Sequence, residues 1–192
     1  RTVVAIDPSY ADGHTSLAQA LLQEGDIDAA IPVLEAALAL APDLARAHFL
    51  FGTALKTLGE YNEALDHLQA AHEQYPRDRV VLGQIGRIQF LDRRFDEAIA
   101  TFQEVLLVDP EDLNAHYNLM LSYRGAGNTT MAEREQLLYE RFKADEAAQA
   151  ITGPYRRQSP DDNNERQPVH EHRHRPDAAT ADDGRARAAA QD

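Results

Sequence analysis

Apolar residues recur along this chain at intervals of three and four, and the run is broken every dozen or so positions by Gly, Pro or a short polar stretch. Leu55, Leu58, Tyr61, Leu65 and Leu68 show the spacing, which gives a helix one face to bury. It predicts four helix pairs: Ala11–Glu24 with Ile27–Ala41, Ala45–Leu58 with Tyr61–Gln74, Arg79–Asp92 with Phe95–Val108, and Leu113–Ala126 with a longer helix from Thr129 to about Ala150. That last helix stops at Gly153-Pro154, as a C-terminal cap would.

The pairs repeat. Pro8, Pro42, Pro76 and Pro110 stand 34 residues apart, as do Ala30, Ala64, Ala98 and Ala132, and Leu17, Phe51, Ile85 and Leu119. Gly25, Gly59 and Gly127 share the register with Arg93 in the third slot, and Gly52 pairs with Gly86. Each ladder has a physical meaning. The first glycines sit where a helix must end and reverse, which suits a residue that accepts positive φ. The alanines put a small side chain where two helices cross, and the apolar ladder fills the crossing from the other side. Proline closes each unit because the helix cannot continue through it. Helices of this length are marginal alone, so each pair must bury its face against its neighbours.

These residues resemble the tetratricopeptide repeat family, a 34-residue helix-turn-helix with a small residue, an Ala and a closing Pro at these offsets. The likeness is most specific over Ala45–Pro76, through Gly52, Gly59, Tyr61, Ala64, Leu68, Ala71 and Pro76, and extends to Ala11–Pro42 and Arg79–Pro110. A fourth unit, Leu113–Ala144, keeps Leu119, Tyr123, Gly127 and Ala132 without a closing Pro. Residues 1–10 read as the end of a preceding second helix, residues 11–150 as the repeat body and residues 151–192 as a separate tail. Gln89, where a large apolar residue is usual, and Pro32, within the first turns of a helix, depart from the family pattern.

The resemblance implies an all-α fold, a right-handed superhelical solenoid of antiparallel helix pairs, followed here by an extended irregular C-terminal tail. It also implies that the first helices line a concave face that contacts partner segments. Carried over position by position, that face holds Asp12, Thr15, Gln19 and Leu22, then Arg46, Phe49, Thr53 and Lys56, then Val80, Gly83, Arg87 and Phe90, then Asn114, Tyr117, Leu121 and Arg124. Arg46, Phe49, Lys56, Arg87, Phe90, Asn114, Tyr117 and Arg124 are the expected partner-binding residues, a basic and aromatic set suited to acidic or carboxylate-bearing segments. The chaperone-tail-binding subtype keeps a Lys/Asn/Arg carboxylate clamp where this chain has Thr15, Gln19, Leu50, Val80 and Gln84, so that role is not expected.

Charge sharpens this picture. The chain carries 32 Asp+Glu against 19 Lys+Arg, a net charge of −13, which opposes nucleic acid and anionic lipid as partners. No apolar run approaches the roughly 20 residues of a membrane span. With no Cys, thiolate metal sites and covalent haem attachment are excluded. Phosphate-binding loops, nucleophile elbows and zinc-protease motifs are missing, and Glu133 with Glu135 reads as a solvated pair. No enzyme and no cofactor are expected.

From Ile151 the apolar periodicity ends, and Pro, Asp, Asn, Gln, Arg and finally Ala dominate, a composition expected to be disordered. His170, His172 and His174 alternate there and would share a face in an extended segment, a minor candidate for a metal. The expected function is a protein-interaction scaffold. One alternative is a subunit that self-assembles end to end into filaments, with the tail strapped on a neighbour; another is the repeat portion of a larger exported protein. The start at Arg1 rather than Met, without a signal-peptide pattern, reads as a processed product or fragment. With only Lys56 and Lys143 among the 19 basic residues, the composition leans towards an exported bacterial protein.

Overall fold

The computed structural model describes residues 9–147. They form the helices α1 (Ala11–Glu24), α2 (Ile27–Leu40), α3 (Ala45–Leu58), α4 (Tyr61–Gln74), α5 (Arg79–Leu91), α6 (Phe95–Val108), α7 (Leu113–Gly125) and α8 (Thr129–Ala147). Each odd-numbered helix packs antiparallel on the even-numbered one that follows, and each pair leans on the next, giving an all-α solenoid. The first helices of successive pairs also touch one another, α1 on α3, α3 on α5 and α5 on α7. They therefore form the closer-spaced inner wall. The expected helices are all present, with α2, α5 and α7 each one residue shorter at the C-terminus than the sequence suggested. The tail, with His170, His172 and His174, lies outside the described residues, as does all of the expected preceding helix except Ser9 and Tyr10.

Polar residues at the helix starts satisfy amide groups that would otherwise lack partners. The Asp26 side chain accepts from the Ala29 amide (3.2 Å), Asp78 from Val80 (2.9 Å) and Val81 (3.1 Å), Asp112 from Ala115 (2.8 Å) and Asn128 from Met131 (3.1 Å). The helix ends repeat one geometry. Gly25, Gly59 and Gly127 have φ of 82°, 85° and 78°, and Arg93, in the same register, adopts φ 62°. Around Arg93 the amides of Arg93 and Arg94 bond back to Phe90 (3.0 Å) and Gln89 (2.8 Å), just as those of Gly25 and Asp26 bond to Leu22 (3.1 Å) and Leu21 (2.9 Å). The reversal is thus imposed on Arg93 by the packing on either side, against the steric preference of an L-residue.

The crossings carry the core. Ala30, Ala64 and Ala98 are fully buried and Ala132 nearly so, with Phe51, Ile85 and Leu119 buried opposite. Gly52 and Gly86 mark the closest approaches. A Cβ at Gly52 would lie 2.6 Å from Leu68 Cγ and 2.8 Å from the Ala64 carbonyl oxygen, and one at Gly86 would lie 2.8 Å from the Phe102 ring. Both departures from the repeat pattern are absorbed. Gln89 accepts a hydrogen bond from the Thr101 hydroxyl across the α5–α6 crossing (2.7 Å), so this half-buried amide has a partner. Helix α2 runs unbroken through Pro32, which is exposed, so water can reach the carbonyl that loses its amide donor.

One expectation is overturned here. Glu133 is exposed, but Glu135 is buried on the inward side of α8, where its carboxylate accepts from Nδ1 of buried His116 (2.7 Å). At spacing two along a helix the pair cannot share a face, and the rotation that buries Ala132 also turns Glu135 inward.

Two substitutions test these constraints by urea unfolding. Gly52→Ala is expected to destabilise by about 1–3 kcal/mol, because the Ala64 backbone cannot move aside; an unchanged midpoint would refute the close approach. Arg93→Gly is expected to stabilise by on the order of 0.5–1 kcal/mol, the relief of left-handed strain less the added freedom of the unfolded chain; a loss of stability would refute the strain.

Candidate groove on the inner face

Charge is sorted by helix. Helices α3, α5 and α7 carry Arg46, Lys56, Arg79, Arg87 and Arg124 and no acid. Helices α2, α4 and α6 carry Asp28, Glu35, Glu63, Asp66, Glu73, Asp96, Glu97 and Glu104 and no Lys or Arg. The inner wall is therefore basic on its last three helices, while the second helices behind it are acidic.

Polar contacts lace the inner helices together. Arg46 Nη2 donates to Gln19 Oε1 of α1 (2.5 Å), and Lys56 Nζ donates to Gln84 Oε1 of α5 (2.5 Å). Arg79 Nη1 donates to Asp112 Oδ2 at the start of α7 (2.5 Å), with Asp109 Oδ2 at 3.8 Å. Arg87 is exposed and makes no hydrogen bond or ion pair with a described residue. Burial, and after it the charge of Arg87, holds the Lys56 ammonium below the usual lysine range. These two cations from adjacent helices disfavour each other, and no carboxylate on their own helices offsets them.

Beside Arg87 a cleft of about 120 Å³ opens between α5 and α7. Val80, Gly83, Gln84 and Arg87 form one wall and Asn114, Ala115 and Asn118 the other, with the Arg79–Asp112 pair among its lining. Nothing lies within 4 Å of where a Cβ at Gly83 would sit, so the missing side chain keeps the cleft open. Asn118 is buried, and its Nδ2 donates to the Asn114 carbonyl (2.6 Å).

The expected contact residues divide into groups. Arg87 and Asn114 line the cleft, Lys56 is tied to its wall through the hydrogen bond to Gln84, and Arg46 lies half-buried on the same helix as Lys56, tied to α1. Phe49 does not face the groove: it is 9% exposed and belongs to the core. Thr15, mapped to the same face, is also fully buried, its hydroxyl donating to the Ala11 carbonyl (3.0 Å). The reason is shared. Inner helices are flanked by other inner helices, so positions at their mutual contact are roofed over. Phe90 is half-buried, its ring 5.7 Å from that of Phe95. Tyr117 and Arg124 lean towards the last helix, Tyr117 with its ring 5.5 Å from that of Tyr139 and Arg124 donating to Gln136 (2.8 Å). Asn118 was missed as a cleft residue, although it stands one helical turn after Asn114; Gln84, which the resemblance put at a clamp position of the groove, lines the cleft.

Among the described residues no group of three or more His, Asp or Glu side chains is placed to hold a metal. No helix among them is long and apolar enough to cross a membrane.

No curated protein matches the sequence significantly. Among solved structures, a crystal structure of MamA superposes with a TM-score of 0.73 at 21% identity, covering 77% of this chain and 86% of that one. MamA from Desulfovibrio magneticus RS-1 gives 0.70 at 21% identity, over 77% and 82%, and MamA AMB-1 gives 0.64 at 26% identity, over 69% and 78%. These likenesses are of fold. The sequence model of the tetratricopeptide repeat matches twice, over residues 21–82 and 55–123. With that match laid over stacked helix pairs of 34-residue period, the chain belongs to the tetratricopeptide repeat family.

Proposed function

We propose that this chain is a non-enzymatic interaction scaffold that takes an acidic segment of a partner protein across its inner face, anchored at Lys56 and Arg87. The observation that carries the reading is the pairing of these two cations on neighbouring helices that hold no acid. A carboxylate placed between them relieves their repulsion and gains charge-assisted hydrogen bonds, the stronger kind. The cleft beside them is smaller than the roughly 300–1,000 Å³ of small-molecule sites, and its size suits a side chain of an extended segment. Amides of Asn114, Asn118 and Gln84 line it, which suits polar backbone rather than an apolar ligand.

Binding of a fluorescent Asp/Glu-rich peptide tests this. Arg87→Glu is expected to weaken binding about 10- to 100-fold, in line with losing one charged hydrogen bond, and to flatten its salt dependence. Gly83→Leu should block the cleft while leaving the helical circular dichroism unchanged. Absence of binding to the wild-type chain, or binding by both variants as tight as the wild type's, would overturn the reading.

The same sorting of charge favours a second reading, self-assembly, in which the acidic second helices of another copy supply the carboxylates. Such a contact joins unlike surfaces and so propagates into a filament or superhelix instead of closing as a dimer. Sedimentation at low salt is expected to show mass rising with concentration and falling back to monomer on addition of salt. A monomer at every concentration at low salt would end this second reading and leave the first intact.

A further inference from the structure

One position in the repeat holds a rung between the paired helices, and its chemistry changes from pair to pair. His48 on α3 and His116 on α7 are two repeats apart. Each directs Nε2 at the carbonyl of the proline that closes the preceding unit, His48 at Pro42 (2.8 Å) and His116 at Pro110 (3.0 Å). Each turns Nδ1 towards the second helix of its own pair, again at corresponding positions. His116 meets the Glu135 carboxylate of α8 at 2.7 Å, whereas His48 meets Nδ1 of His67 on α4 at 2.9 Å. In the pair between them, Leu82 and Thr101 occupy these places.

Counting protons separates the two rungs. Around His116 both neighbours, a carbonyl and a carboxylate, can only accept, so the ring satisfies them by donating from both nitrogens as the imidazolium. Around His48 the carbonyl takes Nε2–H, and the Nδ1–Nδ1 contact holds one proton. A second proton there removes the acceptor and sets two N–H donors head to head.

The surroundings agree. His67 faces His48 from α3 and Glu63 and Asp66 from its own helix, with the Phe51 ring stacked 4.3 Å away. Burial, then the charge of His48, holds it below the ordinary histidine value despite the two acids. His116 faces Glu135 from α8 and Asp112 from the start of α7, with the Phe142 ring at 5.2 Å. Burial works against its cation, but the hydrogen bonds to Glu135 and Pro110 and the charges of Glu135 and Asp112 outweigh it and raise its pKa.

We propose that the two rungs form a differential pH device: mild acidification loosens α3 from α4 while holding α7 on α8. For His67 the folded state favours the neutral ring, so its contribution is present above the unfolded value of about 6.5 and is lost as pH falls through the depressed folded value. For His116 the folded state favours the cation, so its contribution is complete below about 6.5 and is lost as pH rises through the raised folded value.

Hydrogen exchange of the full chain, read by mass spectrometry at about pH 7.5 and about pH 5.5 and corrected for intrinsic rates, tests the device across the histidine range. Protection of α3–α4 relative to α7–α8 is expected to fall several-fold on acidification. His67→Gln should make that ratio depend only on the His116 rung, so that most of the fall disappears. His67→Glu writes the last pair's rung into the second pair and should make α3–α4 itself more protected at the lower pH. An unchanged ratio in the wild type, or a His67→Glu chain whose α3–α4 responds as the wild type does, would overturn the proposal. If His67→Glu does not fold, the wild-type and His67→Gln ratios decide it.

Discussion

Ala30, Ala64 and Ala98 have no solvent exposure at all, and opposite them Gly52 and Gly86 leave less room than a methyl group needs. This close crossing is what the remaining structure depends on. A helix pair joined by so short a turn must fold back sharply, and the distance between its axes is set by the smallest side chains at the crossing. Because the pair is thin, it cannot enclose its apolar faces by itself and must stack on the next one. The core accordingly runs through successive pairs, one group of contacts extending from Ala18 to Ile88 and another from Leu82 to Ala132. The strain at Arg93 follows from the same constraint. Where packing on both sides demands a left-handed reversal, the backbone takes it even without a glycine.

Positions beside the crossing are less constrained, and there the chain varies its chemistry. Gln89 with Thr101, His48 with His67 and His116 with Glu135 are each polar pairs bridging two paired helices. None could stand as a single buried polar group, since an unpaired donor or acceptor costs about 1–3 kcal/mol. Each works because the partner helix supplies the complement at the matching step of the repeat. A solenoid tolerates this well, because one rung affects mainly its own pair and nearest neighbours.

Much of this was legible in the sequence because repetition exposes what every unit shares. The helices, their order, the reversals and the buried alanines all recur at one interval, and recurrence separates them from chance. What differs from unit to unit was harder to read. Phe49 and Thr15 were assigned to the groove by position, yet contacts between neighbouring inner helices cover them, and that crowding is a tertiary property. Glu135 looked like a surface acid because its partner, His116, lies on another helix. Gly125 fits no ladder, and its reason is the Phe95 ring, 2.5 Å from where its Cβ would be. The candidate cleft was half visible: Arg87 and Asn114 were found, but Asn118 and the open space over Gly83 depend on how α5 and α7 splay.

Sorting the charges by helix gives the fold an energetic direction. Inner helices are the closest together, so cations placed on them repel more strongly than the same cations spread over the second helices would; burial first, and after it the charge of Arg87, lowers the pKa of Lys56. Nothing about helix packing requires it, since exposed inner positions would accept acids equally well. The arrangement is instead held at the expense of stability by contacts that tie the inner wall together, Arg46 to Gln19, Lys56 to Gln84 and Arg79 to Asp112. Arg79 is neutralised by its carboxylates, while Lys56 spends its hydrogen bond on an uncharged amide and Arg87 keeps its charge open to solvent. An anion bound at the last two therefore lowers the energy of the folded state twice, through its own contacts and by removing the repulsion between them. By linkage, whatever fills the groove also stabilises the solenoid, and the stacking of pairs carries that stabilisation to the neighbouring units.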